Sequence, residues 1–292
     1  MSGDAILNCT VETIRQVLGA DLNGITVERA VIGLFFTGVK LDTGSAGACA
    51  TPIGSIPEAV CCPSSAMAMP FAGKLHGRWA SDLLDETAAA SPIRRAVGIA
   101  TMNALADMCW QRRPAPGMEL QVGVDAYNAA CIRPGEKVVV VGAFVPFLKS
   151  LKRAGQVFSV LEINPLTLKA DEMPYFRPAA AAGSVLPEAD VVLITGTTLL
   201  NHSLQDLLGL CRPSTRVVVV GPTVSLLPDA LLDRGVDVLG GIRVTSPDAF
   251  LDVLAQGGSG YHFFGRSADK LVLVRRMLAG VSQLASHGGD AR

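Results

Sequence analysis

Five short apolar runs in the second half of the chain most restrict what it can fold into. Residues 137–141, 157–163, 191–195, 216–220 and 236–239 are strand-length and dense in Val, Ile and Leu, with little polar alternation. An alternating strand lies on a half-buried sheet, whereas a continuous apolar strand is covered on both faces. The segments between them, 146–154, 201–211 and 229–234, have helical spacing. Strand and helix in alternation require right-handed crossovers, and they predict a doubly wound parallel sheet.

The first half reads differently. A helix beginning at Thr10-Val-Glu-Thr carries Ile14, Val17 and Leu18 on one stripe and ends near Leu18. Gly19 and Gly24 bracket a loop. Residues 25–36 read as one strand, and 37–51 as a hairpin turning at 42–44 with a return strand through 46–51. Four prolines between 52 and 75 predict a long irregular connection. A short helix follows over 79–86. Ser91-Pro92 then opens another, with the proline in its first turn, that continues through Ile93, Val97, Ala100, Leu105 and Met108 to about Cys109. The Arg112-Arg113-Pro114 stretch ends it, which divides the chain at 1–115 and 116–292.

Composition excludes several classes of function. Hydrophobic residues make up 49% of the 292 and charged residues 17%, enough for a core and too apolar for disorder. A net charge of −1 argues against capture of nucleic acid or an anionic membrane. The longest apolar runs, such as 138–147, fall far short of the ~20 residues of a spanning helix. The start, Met1-Ser2-Gly3-Asp4, has no positive segment followed by an apolar one. The seven cysteines are odd in number and show no CxxC spacing. Reduced thiols and a cytoplasmic protein are expected.

Ligands of open α/β sheets bind beyond the carboxyl ends of the strands, where the strand order reverses. Small and polar residues stand at those ends here. The first strand runs into Gly142-Ala-Phe144-Val-Pro146, where glycine allows close backbone approach and the proline opens a helix. It is one glycine and not the full GxGxxG fingerprint, so a plain tight turn is an equal reading. Glu162 stands 20 residues after Gly142, the offset of a ribose-binding acid, and Asn164 follows it. The third strand ends in Thr195-Gly196-Thr197-Thr198, followed by Asn201-His202, which suits a ligand or a helix cap equally. The fourth ends in Gly221-Pro222-Thr223. Together these make a binding cradle without a strong nucleophile, and no catalytic residue is assigned. GxSxG, HExxH and GxxxxGK[ST] are absent. Among the histidines at 76, 202, 262 and 287, only His202 is placed near this crevice. Cys61-Cys62 are adjacent, poor spacing for one ion, and Cys49 with His76 is the remaining candidate pair.

Two sets of residues resemble a known family. Phe36-Thr-Gly-Val-Lys-Leu, Gly44-Ser-Ala-Gly-Ala-Cys-Ala-Thr51 and Ala96-Val-Gly-Ile-Ala-Thr-Met-Asn-Ala-Leu105 are similar to an enolase N-terminal-like module. Val138-Val-Val-Val-Gly-Ala-Phe-Val-Pro146, Asp190-Val-Val-Leu-Ile-Thr-Gly-Thr-Thr-Leu-Leu-Asn201 and Val219-Val-Gly-Pro-Thr223 are similar to the Rossmann-like module that follows it. The pair resembles the bacterial and archaeal family described as "putative heavy-metal chelation", over about residues 8 to 270. The resemblance implies a small α+β domain, a Rossmann-like domain and a ligand-binding cleft between them. It places Asn103, Gly142, Phe144, Glu162, Asn164, Thr195, Gly196, Thr197, Thr198, Asn201 and Gly221 at that cleft. Where it implies a small residue after Asn201, this chain has His202, a metal-capable nitrogen. The barrel that carries enolase chemistry is absent, so that activity is not implied.

The expected function is binding of a small ligand, a heavy metal or a metal-containing small molecule. The alternative is an enzyme holding a nucleotide or adenosyl cofactor through Gly142 and Glu162. The cofactor would accordingly be a transition metal or a nucleotide-type ligand. A homodimer is the default assembly.

Overall fold

Asp4 caps the first described helix six residues before the Thr10 start that the apolar stripe predicts. Its carboxylate accepts from the amides of Ile6 and Leu7 at 2.9 and 3.2 Å and caps α1 (Ala5–Leu18). This computed structural model describes residues 4–55, 71–113 and 117–276.

Strands β1 (Val27–Ile32), β2 (Phe36–Leu41) and β3 (Ala46–Ala50) form an antiparallel meander in that order. The expected strand over 25–36 is therefore shorter, ending at Ile32, and Phe36 already belongs to the next strand. The chain turns at Gly33, whose amide donates to the Phe36 carbonyl at 3.0 Å. A Cβ there would stand 2.3 Å from the Leu254 carbonyl oxygen, so a tertiary neighbour demands the glycine. The turn at 42–44 is as expected, with Gly44 at φ +86° and its amide on the Leu41 carbonyl at 2.9 Å. Helices α2 (Ala80–Asp85) and α3 (Pro92–Arg112) follow, the latter with Ser91 as its cap position and Pro92 in its first turn.

The larger sheet comprises β4 (Met118–Val122), β5 (Val138–Val141), β6 (Phe158–Glu162), β7 (Phe176–Pro178), β8 (Val191–Thr195), β9 (Arg216–Val220), β10 (Val236–Val244) and β11 (Ala268–Arg275). The helices among them are α4 (Ala126–Ala129), α5 (Val145–Arg153), α6 (Ala182–Val185), α7 (Thr197–Leu200), α8 (Leu204–Gly209), α9 (Asp229–Leu232), α10 (Pro247–Ala255) and α11 (Gly260–Phe263). The sheet order is β4-β11-β10-β9-β8-β5-β6-β7. Strands β5 to β10 are parallel to their partners among themselves, while β11 runs antiparallel to both β10 and β4. Within the parallel set the order reverses between β5 and β8, which marks the switch point of a doubly wound sheet.

Period-two alternation puts the two faces of this sheet into different cores. Val138 and Val140 pack with Phe147, Leu148 and Leu151 of α5. Val139 and Val141 face the other way, into a core with Leu199 and Leu200 of α7, Ile6 of α1 and Leu105 of α3. That second core runs without a break under the meander, through Leu41, Cys49 and Leu84. The two halves are thus welded by apolar packing. Burying each such Leu or Ile stabilises by roughly 1.5–3 kcal/mol before chain entropy is subtracted.

Two close approaches hold the meander. In β3, a Cβ on Gly47 would lie 2.3 Å from the Ala104 amide nitrogen and 2.4 Å from the Ala100 carbonyl oxygen of α3. On the opposite side α10 returns from the second half, and a Cβ on Gly38 would meet Leu251 and Leu254 at 2.6 and 2.7 Å. Arg29 reaches Asp252 at 2.7 Å and Lys40 reaches Asp248 at 2.8 Å across the same contact. No helix among the described residues is long and apolar enough to cross a membrane.

Candidate functional site at the carboxyl edge of the parallel strands

The switch point brings the turns after β5 and β8 together. Gly142 sits at φ +93°, and a Cβ there would be 2.7 Å from the Thr195 methyl. Both facts require glycine. Phe144 takes the cap position of α5 without a side-chain cap bond. Its ring packs edge-on against Phe147 at 4.4 Å, so it belongs to the core face of the helix.

Glu162 ends β6 and stitches two turns. Its Oε2 accepts from the Ala143 amide at 2.8 Å, and its Oε1 accepts from the Ile163 and Asn164 amides at 2.7 and 3.1 Å. Asn164 in turn accepts from the Leu166 amide at 3.0 Å. Beside this acid Ile163 and Leu166 stand 76% and 89% exposed, unusual for residues of their type.

The Thr-rich turn divides by role. Thr198 is buried and donates to the Thr195 carbonyl at 2.7 Å, a local cap. Thr197 is exposed, and its hydroxyl lies 3.3 Å from that of Thr195. Gly196 donates to the Val220 carbonyl at 2.7 Å, and Gly221, at φ +134°, donates to the Gly240 carbonyl at 2.8 Å. The turns after β5, β6, β8 and β9 therefore form one contiguous edge carrying Gly142, Glu162, Asn164, Thr195, Gly196, Thr197 and Gly221.

Other expected site residues stand elsewhere. Asn103 is 2% exposed, and its Nδ2 donates to the carbonyls of Ala48, Thr223 and Pro222 at 2.8, 2.9 and 3.3 Å. Thr223, also 2% exposed, accepts from the Ala50 amide at 3.0 Å. These residues, with Pro222, tie the meander to the turn after β9. Asn201 ends α7, and its side chain makes a local turn by accepting from the Ser203 amide and hydroxyl at 3.1 and 2.6 Å. His202, left-handed at φ +61°, directs Nδ1 to the Asp4 carboxylate at 3.3 Å, at the start of α1. It does not face the strand edge.

The donors a soft metal would need do not gather among the described residues. No group of three His, Cys, Asp or Glu there could hold an ion. Burial pushes the Cys49 thiol up to about 12, with a bond from Thr223 opposing, and burial pushes the thiols of Cys109 and Cys211 up to about 11. Raised this far, these thiols sit as protonated groups in or against the apolar core. His76 pairs through Nδ1 with the Glu28 carbonyl at 2.8 Å, and His262 accepts from the Ser259 amide at 3.0 Å. The Cys49–His76 pairing is therefore not formed as a site. Cys61, Cys62 and His287 lie outside the described residues.

The sequence reading missed one polar group, Asp107, Trp110, Ser225 and Arg243 beside Asn103. Its signal was the spacing of Asn103, Asp107 and Trp110 one and two turns apart along α3.

Comparison with known proteins agrees with this architecture. Residues 125–273 match the DUF364 family and residues 15–106 match DUF4213, both described as "putative heavy-metal chelation". An uncharacterized protein of Methanocaldococcus jannaschii is 28% identical over 177 residues, which span 60% of this chain and 64% of that one. A DUF364 protein of unknown function from Pyrococcus horikoshii superposes with a TM-score of 0.71 at 18% identity, covering 92% of this chain and 100% of that one. Another from Desulfitobacterium hafniense superposes at 0.67 with 21% identity, covering 91% and 98%. At these identities the likeness is one of fold. By its sequence match across more than half its length, the chain belongs to the DUF364 family.

Proposed function

We propose that the chain is a small-ligand binding protein whose ligand seats at the carboxyl edge of the parallel strands. The observation that carries this is the junction of the Gly142 turn with the Thr195–Thr197 turn at the switch point, beside the Glu162 carboxylate. Glycine backbone, an exposed hydroxyl and a carboxylate there can contact a polar ligand, and exposed Ile163 and Leu166 can cover an apolar part of it. The family description suggests metal. The described side chains do not fit a bare ion, so the metal on this reading arrives as a metal-containing small molecule held through its organic part. His202 contributes nothing to it, and Asn103, Pro222 and Thr223 support the edge from behind. This reading includes the Rossmann-like and enolase N-terminal-like identities, the division at 1–115 and 116–292, a homodimer and a cytoplasmic location.

Native mass spectrometry with elemental analysis on gently purified protein tests it. Wild type should retain an organic mass together with metal, and Thr197→Ala and Glu162→Gln should lose both with unchanged circular dichroism. A bare ion retained equally by all three proteins would sink the reading.

A second reading has its own support. Glu162 lies 20 residues beyond Gly142, at the offset of a ribose-binding acid in sheets of this order. On that reading the ligand is a nucleotide or adenosyl cofactor. Calorimetric titration with NAD, ATP and S-adenosylmethionine decides it, since silence from all three would remove the cofactor class.

A further inference from the structure

The junction of the two sheets contains a polar recess that no role above uses. Asn103, Asp107 and Trp110 of α3 line it with Gly47 of β3, Ser225 of the turn after β9 and Arg243 of β10, enclosing about 10 Å³. Two of these residues carry a buried polar atom without a protein partner, Asn103 Oδ1 and Trp110 Nε1. The Asn103 amide cannot be turned to relieve this. Its Nδ2 already donates to the Ala48 and Thr223 carbonyls at 2.8 and 2.9 Å, and a flip would set oxygen against oxygen. One orphan is an acceptor and the other a donor, on one face of one helix. Buried polar groups are nearly always satisfied, so such a pair needs explaining. Asp107 adds an acceptor, its carboxylate taking the Ser45 hydroxyl at 3.2 Å and lying 3.8 Å from Arg243 Nε. A native internal water makes about three hydrogen bonds in space of this size.

We propose that the recess is a built hydration site for one long-lived water. The water accepts from Trp110 Nε1–H and donates to Asn103 Oδ1 and to Asp107. It thereby belongs to the weld between the meander and β10.

The protein has two tryptophans, and Trp79 is 48% exposed. In 15N-labelled full-length Trp79→Phe protein, the remaining indole signal belongs to Trp110. Its N–H should cross-relax with water with the sign of a contact that outlives molecular tumbling. A high-resolution crystal structure should place a single ordered water between the two orphan atoms. An indole N–H silent toward water, or density for a group larger than water in the recess, would overturn the proposal.

Discussion

The seam between the sheets and the edge of the parallel strands use similar residues in opposite ways. At the seam Asn103, Thr223 and Cys49 are buried, and the polar ones bind backbone across the join. At the edge Thr197 and Asn164 are exposed, and Glu162 is only partly covered. Glycine shows the same split. Gly47 is required because helix α3 lies against it, whereas Gly142 is required by its own φ and by one methyl. A polar residue in the seam is therefore a fastening between distant parts of the chain, and at the edge it is bonded only within or between neighbouring turns and stays partly or wholly exposed.

Substitutions can break this contrast. The largest effect is expected for Gly47→Val, which drives a side chain into the backbone of α3. It should cost more than about 4 kcal/mol and show as loss of a cooperative thermal transition. Asn103→Leu should cost about 2–4 kcal/mol by denaturant unfolding, because the Ala48 and Thr223 carbonyls lose their donor in a buried setting. Glu162→Gln should cost about 1 kcal/mol, since an amide oxygen can keep part of the amide bonding, while ligand retention falls far more. Thr197→Ala should leave stability within about 0.5 kcal/mol and still reduce ligand retention. If Thr197→Ala and Asn103→Leu were equally destabilising, the contrast between edge and seam would fail.

Asp107 sharpens it at the seam's border. Burial raises its pKa above 3.8, against the opposing effects of Ser45 and Arg243. The folded state thus holds this proton more tightly than the unfolded chain. The proton-linked stabilisation is complete below 3.8 and is lost as pH rises through the raised pKa. Asp107→Asn removes that loss. It should flatten the pH dependence of the melting temperature above pH 4 and stabilise the protein at neutral pH by under about 1 kcal/mol.

Much of the larger sheet was legible because its strands are buried on both faces. Continuous Val and Ile runs leave few alternatives, and all five expected strands are present. The strands β4, β7 and β11 were not read. β4 and β11 pair antiparallel across a long separation in sequence, and β7 is only three residues long. The break at Gly33 was illegible for a related reason. Its flanks, Val31-Ile32 and Leu34-Phe35-Phe36, are all strand formers, and the Leu254 carbonyl that enforces the turn lies far along the chain. Of the candidate site residues, Gly142 and Thr195 meet at the switch point, and Gly221 stands beside Gly196 one strand further on. Asn201 and His202 stand close to the crevice in sequence, but the short α7 carries them away, Asn201 into a local turn with Ser203 and His202 to Asp4.

By itself the sequence determined what depends on local pattern, namely which runs are strands, that the sheet is covered on both sides, and that glycine and threonine occupy its strand ends. Only the tertiary structure decided which polar groups are consumed. The residue type states that Asn103, Thr197 and Glu162 can hydrogen-bond, but not whether a distant carbonyl or amide already claims the bond. A buried group without a partner is expensive, so the fold supplies partners wherever it closes. The residues available to a ligand are those that the closing fold leaves exposed.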